Sequence, residues 1–224
     1  MTPETSVLWN RRRDPLRVVR RDPSPSAAKR SLQPLLAGQR LFEKPYVFDG
    51  TEGKRSLGEI FGGRHQLIVY HFMFDPEWEK GCTGCTGYVD ALGNLSMLND
   101  RDTTFVLVSR APLAKLEAYK ALKGWKVAWY SSFGSDFNYD FHVTLDENFA
   151  PVKYNYRSKA EMQARRVRNP LGEEHGLSVF FRVGDVVFHT YSTYARCPSR
   201  KSRPREVIDV FVGPGHGFPG GTDS

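Results

Sequence analysis

The stretch "HQLIVYHFMF" at residues 65–74 constrains this chain more than any other. It is a short, continuous apolar run rich in Val, Ile, Tyr and Phe, the pattern of a strand buried on both faces. A second run of the same kind, "TTFVLVSRA", occupies residues 103–111, and "KVAWYSS" offers a third strand at 126–132. Between the first two, Tyr88, Ala91, Leu92, Leu95 and Leu98 recur at three- and four-residue steps and predict one amphipathic helix. "PLAKLEAYKALKG" predicts another, with Pro112 near its first turn and Gly124 past its end.

Two further segments flank this alternation. "YVFDGTEGKRSLGEIF" reads as a short strand, a turn at Asp49-Gly50 and a one-turn helix closing at Gly62. "LSVFFRVGDVVFHTYSTY" reads as two extended segments around Gly184-Asp185, a hairpin signal. The order is strand, helix, strand, helix, hairpin. A βαβ unit followed by a ββ unit is the thioredoxin-like arrangement: an α/β fold with a mixed central sheet and flanking helices. Alternation alone allows other α/β folds, and the position of the cysteines narrows the choice.

Charge divides the chain into three parts. The net charge is +7, and residues 1–44 hold ten Lys/Arg against four Asp/Glu. Residues 45–196 hold eighteen of each. The expectation is therefore a basic, Pro/Arg-rich and mostly irregular arm at 1–44, one domain at 45–196, and an irregular Gly/Pro-rich tail at 197–224. Within the tail, "VIDVFV" could add an edge strand. A solvated basic arm accounts for the charge, and nucleic-acid binding is expected only as weak contact by that arm. No run of about 18 apolar residues predicts a membrane span, and no apolar stretch follows Arg11, Arg12 and Arg13 to make a secretory signal. Three cysteines in 224 residues are too few for a disulfide scaffold, so a reducing, cytoplasmic setting is expected.

"GCTGC" carries the chemistry. Cys82 and Cys85 follow a buried strand by a short loop and open the next helix. Open α/β sheets place their sites at that end of a strand. The unpaired N–H groups and positive dipole end of the helix favour a thiolate there, and the spacing lets the second sulfur reach the first. Gly81, Gly84 and Gly87 suit a close approach of backbone to the sulfurs. Three readings stay open: a redox pair, a metal site, or two packed small residues. A closed zinc site wants four ligands and there is no second Cys-x-x-Cys, although two cysteines and one histidine would make a copper or zinc site. His71, His142, His175 and His189 are available, with His175, just ahead of the hairpin strand, the expected third ligand.

The stretches "YVFDG", "QLIVYHFMF", "GCTGC", "LVSRAPLAKLEAY", "SSFGSDFNYDF", "GLSVFFR" and "VFHTYSTYAR" together resemble the thioredoxin-like proteins called "domain of unknown function 899". Those proteins are described as predicted dithiol-disulfide oxidoreductases. The resemblance spans about residues 45–196. It implies the thioredoxin fold and a Gly-Cys-x-Gly-Cys site on Gly81, Cys82, Gly84 and Cys85, with no defined substrate. The arm and the tail from Cys197 depart from the family's ends. "EEHGLSVFF" has no proline where thioredoxins place one before the hairpin strand, so substrate docking is expected to differ from theirs.

Other residues are candidates for contact with a substrate. Trp78 precedes Cys82 by four residues and is expected to pack beside the site. Arg110 ends the second buried strand at the same edge and could stabilise a thiolate or pair with a carboxylate. Asp136, Asn138, Tyr139 and Asp140 in "GSDFNYDF" form either a capped turn or the rim of a cysteine pocket. His189, Tyr191, Ser192 and Tyr194 alternate along the last strand. The reading that gathers most of this is thiol-disulfide oxidoreduction, with Cys82 attacking and Cys85 resolving. It needs no organic cofactor and no metal, and its partner is a thiol or disulfide, protein or small molecule. The alternative is a non-catalytic thioredoxin-fold binding module, or a copper or zinc metallochaperone. Peroxidase chemistry is less well supported, because the pattern Pro-x-x-x-Thr-x-x-Cys is absent around Cys82.

Overall fold

The computed structural model describes residues 40–42, 44–165 and 171–194. Most of the expected arm, the tail, "VIDVFV" and Cys197 lie outside the described residues. Eight strands form one sheet. In chain order they are β1 (Arg40–Phe42), β2 (Val47–Gly50), β3 (Gly53–Ser56), β4 (Gln66–His71), β5 (Thr103–Ser109), β6 (Ala128–Ser131), β11 (Gly176–Val183) and β12 (Val186–Tyr194). Between them lie helices α1 (Thr83–Asp90), α2 (Ser96–Asn99), α3 (Leu113–Lys123), α4 (Phe137–Asp140) and α5 (Lys159–Ala164). Four two-residue strands pair in two small ribbons: β7 (Thr144–Leu145) with β10 (Gly172–Glu173), and β8 (Lys153–Tyr154) with β9 (Arg157–Ser158).

The order across the large sheet is β1-β12-β11-β4-β5-β6-β2-β3. β4, β5 and β6 run parallel, and β11 and β12 return antiparallel beside β4. That is the thioredoxin-like mixed sheet. The two apolar runs become its central strands because each is covered twice. Ile68 and Tyr70 face one core with Leu107, Leu116 and Trp129, whereas Leu67 and Val69 face another with Phe48, Phe137 and Phe180. The two-residue period of a strand sends alternate side chains to opposite layers. Truncating a fully buried side chain such as Phe180 would cost about 3–5 kcal/mol.

Three local expectations are corrected. The helix predicted over 88–98 is two pieces, α1 and α2. Gly93 sits at φ 62, a left-handed conformation that breaks the period, and the Asn94 side chain accepts from the N–H of Ser96. The turn placed at Asp49-Gly50 lies two residues later, at Thr51-Glu52, because Gly50 pairs with Gly53 and β2 and β3 form a hairpin. The loop expected at "GSDFNYDF" contains the single turn of helix α4. β1 pairs with β12, so among the described residues the large sheet already includes Arg40–Phe42, ahead of the boundary expected at residue 45. Among the described residues no helix is long and apolar enough to cross a membrane.

Candidate redox site

The site grows from the carboxyl end of β4. Beyond His71 the chain keeps contact with β5, as Phe72 N–H donates to Val108 O at 2.9 Å and Ala111 N–H to Phe74 O at 2.9 Å. It then turns: the Asp75 carboxylate accepts from the N–H of Glu77, and Trp78 N–H donates to Asp75 O. Lys115 from α3 fastens this turn, its Nζ donating to Pro76 O at 2.5 Å and Trp78 O at 2.8 Å. The chain returns to β4 at Cys82, whose N–H donates to Met73 O at 3.0 Å. Gly81 is required at the crossing, since a Cβ there would lie 2.6 Å from the Phe72 ring.

Cys82 is the N-cap of α1 and is half-buried, while Cys85, one turn inside, is buried at 2% exposure. The Cys85 thiol donates to the Cys82 sulfur, and the backbone N–H groups of Cys85 and Gly84 point at the same atom. These donors outweigh the cost of burial and pull the Cys82 thiol down to about 6. Cys85 moves the other way, because it donates to Cys82, is buried, and lies beside the Cys82 charge. A hydrogen bond from Tyr70 to its sulfur and one from the backbone at Met73 oppose that shift. The result is one sulfur ionised at neutral pH and one protonated, within hydrogen-bonding reach of each other.

The expected substrate contacts are distributed more widely. Trp78 stands in the turn before Cys82 with 37% of its surface open. Arg110 is committed: its Nε donates to Glu173 Oε1 at 2.7 Å and its Nη2 to Asp75. It braces the turn that leads to Cys82 against the β10 segment. Tyr139 packs its ring on Phe149 at 4.1 Å and lies 5.9 Å from the Arg110 guanidinium. Arg110 and Tyr139 share the wall of a cavity of about 370 Å³ with Thr144, Asp146 and Leu171. Asp136 is elsewhere, paired with Lys44 at 2.9 Å, and Asp140 binds the same Lys44 and the Tyr46 hydroxyl. That pair ties the start of the sheet to α4; the lining of the cavity includes neither aspartate nor either cysteine.

The histidines do not gather. His71 lies on the sheet face away from Cys85, its Nε2 2.8 Å from Ser178 Oγ. Ser178 continues to Ser192, and Ser192 to His189, each at 2.8 Å. Two of the alternating residues of β12, His189 and Ser192, therefore join a hydrogen-bond chain that runs to the buried His71. His175 precedes β11, and its Nε2 is buried without a hydrogen-bond partner. Among the described residues no group of three His, Cys, Asp or Glu could hold a metal ion.

Sequence reading missed Lys115, Tyr70 and Glu174. Lys115 and Tyr70 look like ordinary helix and strand residues, and only the crossing of the chain brings them to the site. Glu174 carried a faint signal as an acidic residue beside a strand with no proline before it.

A family profile described as "Bacterial protein of unknown function (DUF899)" matches residues 18–210. The match reaches into both stretches that the sequence reading places outside the family. No curated protein matches. Among solved structures, a Cys-to-Ser mutant of PrxQ from Xylella fastidiosa aligns at TM-score 0.51 and 11% identity, over 77% of this chain and 92% of its own. The bacterioferritin comigratory protein of Xanthomonas campestris aligns at 0.47 and 15%, over 73% and 88%. The mitochondrial 2-Cys peroxiredoxin of Plasmodium falciparum aligns at 0.47 and 12%, over 76% and 88%.

Proposed function

For this chain, which belongs to the DUF899 family of bacterial proteins of unknown function, we propose thiol-disulfide oxidoreduction through Cys82 and Cys85. The observation that carries the reading is the split of the pair. Cys82, half-buried at a helix start, is drawn down to about 6, while Cys85 is buried and held protonated. Cys82 attacks a substrate disulfide and Cys85 resolves the mixed disulfide, leaving a Cys82–Cys85 bond and two substrate thiols.

Magnitudes show what the low value does. A free thiol at ~8.5 is about 3% ionised at pH 7, and one near 6 is about 90% ionised. The thirtyfold gain in thiolate is offset roughly tenfold by lower nucleophilicity. Attack is therefore only a few times faster. The larger effect is on departure: the Cys82 thiolate leaves readily, so its disulfide is easily reduced and turnover is favoured.

Of the expected contacts, we assign Trp78, exposed in the turn before Cys82, to a substrate at the cysteines, and Tyr139 to one that extends into the cavity. The partner is a protein or small-molecule thiol or disulfide in a reducing, cytoplasmic setting. The structural neighbours include a bacterioferritin comigratory protein with alkyl peroxide reduction activity and a 2-Cys peroxiredoxin. Against peroxide as the oxidant here, Asp75 and Glu79 stand where the peroxidatic pattern needs proline and threonine. Asp75 is moreover tied to Arg110.

Equilibration in graded glutathione buffers, followed by alkylation and mass spectrometry, tests the proposal. Both thiols should disappear together in one two-electron transition, with chelator making no difference. Stoichiometric zinc or copper in the purified protein, lost in Cys82→Ser, Cys85→Ser and His175→Ala, would favour the metallochaperone instead. Oxidation by hydrogen peroxide at trace concentration, with disulfides inert, would favour the peroxidase.

A further inference from the structure

Glu173 and Glu174 are neighbours in the chain with opposite surroundings. The Glu173 carboxylate is buried and fully occupied, accepting from Arg110 at 2.7 Å and from Thr144 Oγ1 at 3.0 and 3.2 Å. Glu174 has no such cation. Its backbone N–H donates to Val143 O at 2.7 Å, which fixes the loop between β10 and β11. The register of the sheet sets where that loop lies. Gly176 at the start of β11 pairs with His71 at the end of β4, so residues 173–175 run beside the segment that leads to Cys82. The Glu174 carboxylate, partly buried, accepts from the Tyr154 hydroxyl and feels the charge of Cys82.

The groups facing it are few. The single Tyr154 hydroxyl proton has a second acceptor in reach, His175 O at 2.9 Å, so it serves Glu174 or that carbonyl but not both at once. The His175 ring is kept neutral by burial. Arg110 is neutralised by Asp75 and Glu173. Tyr70 hydrogen-bonds to Cys85. Among the described residues, Glu174 is thus a carboxyl group that feels Cys82 with no cation paired to it.

Resting on the dithiol reading, we infer that Glu174 is the acid–base group of the cysteine pair, protonating the thiolate that leaves when Cys82 opens a substrate disulfide. The steps balance. The Cys82 thiolate attacks one sulfur of R–S–S–R′, the S–S bond breaks, and R′S⁻ departs with the electron pair and takes the Glu174 proton. The Glu174 carboxylate then accepts the proton of Cys85 as that sulfur attacks Cys82. RS⁻ leaves and receives the proton back from Glu174. The dithiol is oxidised to a disulfide and the substrate disulfide is reduced to two thiols, with no further redox reagent. Burial and the Cys82 charge both favour the protonated carboxyl while Cys82 is a thiolate. That charge vanishes in the mixed disulfide, when a base is needed.

The test uses leaving groups of different basicity. An alkyl thiolate is basic and needs a proton, whereas nitrothiobenzoate is stable without one. In the full-length reduced protein, Glu174→Gln should slow reduction of hydroxyethyl disulfide at least about tenfold and leave that of dithiobis(nitrobenzoate) within about twofold. Glu174→Asp should recover part of the loss, and the variant should lose one limb of the wild-type pH–rate profile. Equal slowing with both disulfides would mean a structural role and would overturn the inference, as would no slowing with either. Wild-type protein inert to both disulfides would sink the dithiol reading itself, a result distinct from wild-type activity without leaving-group selectivity.

Discussion

Arg110 donates through Nε to Oε1 of Glu173 at 2.7 Å, and the carboxylate it holds has 1% of its side chain exposed. The same guanidinium grips Asp75, at the head of the turn that carries the chain to Cys82. One cation therefore fixes the two backbone segments that flank the cysteines. Burial pushes Glu173 up, and Arg110 and Thr144 oppose that push.

Removing the cation should expose this balance. Arg110→Met leaves Glu173 buried and unpaired, and a loss of about 3–5 kcal/mol is expected in urea unfolding at pH 7. The loss should shrink on acidification. Without Arg110 the folded-state value of Glu173 rises further, so the penalty grows as pH climbs above the unfolded carboxyl value and fades below it. A loss equal at pH 4 and pH 7 would contradict the assignment.

The acidity of Cys82 should depend on Cys85 above all. Iodoacetamide alkylation of the reduced protein should titrate near 6 at Cys82, with Cys85 unreactive across the same range. In Cys85→Ala the strongest donor to the Cys82 sulfur is gone while the backbone N–H groups stay. Its titration should then move up toward the ordinary thiol range. An unmoved curve would assign the effect to the helix start alone.

Gly81 is a steric requirement. In Gly81→Ala the new methyl meets the Phe72 ring at 2.6 Å, and the loop or the ring must shift. About 1–3 kcal/mol of stability should be lost, and Cys82 alkylation should slow. Gly87, with open space at its Cβ, is the control: alanine there should be tolerated or stabilise α1.

The Lys115 staple should hold the turn. Lys115→Met removes two donors from the carbonyls of Pro76 and Trp78. Amide hydrogen exchange should quicken over residues 75–82 and stay unchanged in β5 and β6. Uniform acceleration would show a general loss of stability instead.

His71 predicts an acid limit. Burial, with a smaller effect of His189, lowers it to about 3, so the folded state holds it neutral. The unfolded chain binds a proton below about 6.5, and stability should therefore decline as pH falls from there toward 3, by a few kcal/mol in all. His71→Gln should flatten that part of the stability curve, measured by thermal melts. A decline of the same slope in the variant would assign acid unfolding to carboxylates instead.

What the sequence determined by itself was local. The runs at 65–74 and 103–111, short, apolar and rich in β-branched and aromatic residues, read as strands buried on both faces. With the helix after Pro112 and the turn at Gly184, they dictate a βαβ unit followed by a hairpin. The Cys-x-x-Cys spacing at a strand-to-helix junction likewise carries its own chemistry, because the helix start donates its N–H groups to whatever side chain stands there. Side-chain pairing across the fold was not legible. Arg110 and Asp136 looked equally suited to a pocket rim. Tertiary structure gave Arg110 to Asp75 and Glu173, 35 and 63 residues away in the chain, and Asp136 to Lys44, 92 residues away. The register of β11 on β4 laid the loop that carries Glu174 beside the segment leading to Cys82, and no spacing encodes it. Helix and strand periods are set by nearest neighbours in the chain. The partner of a charged group is set by which backbone segments the sheet lays side by side.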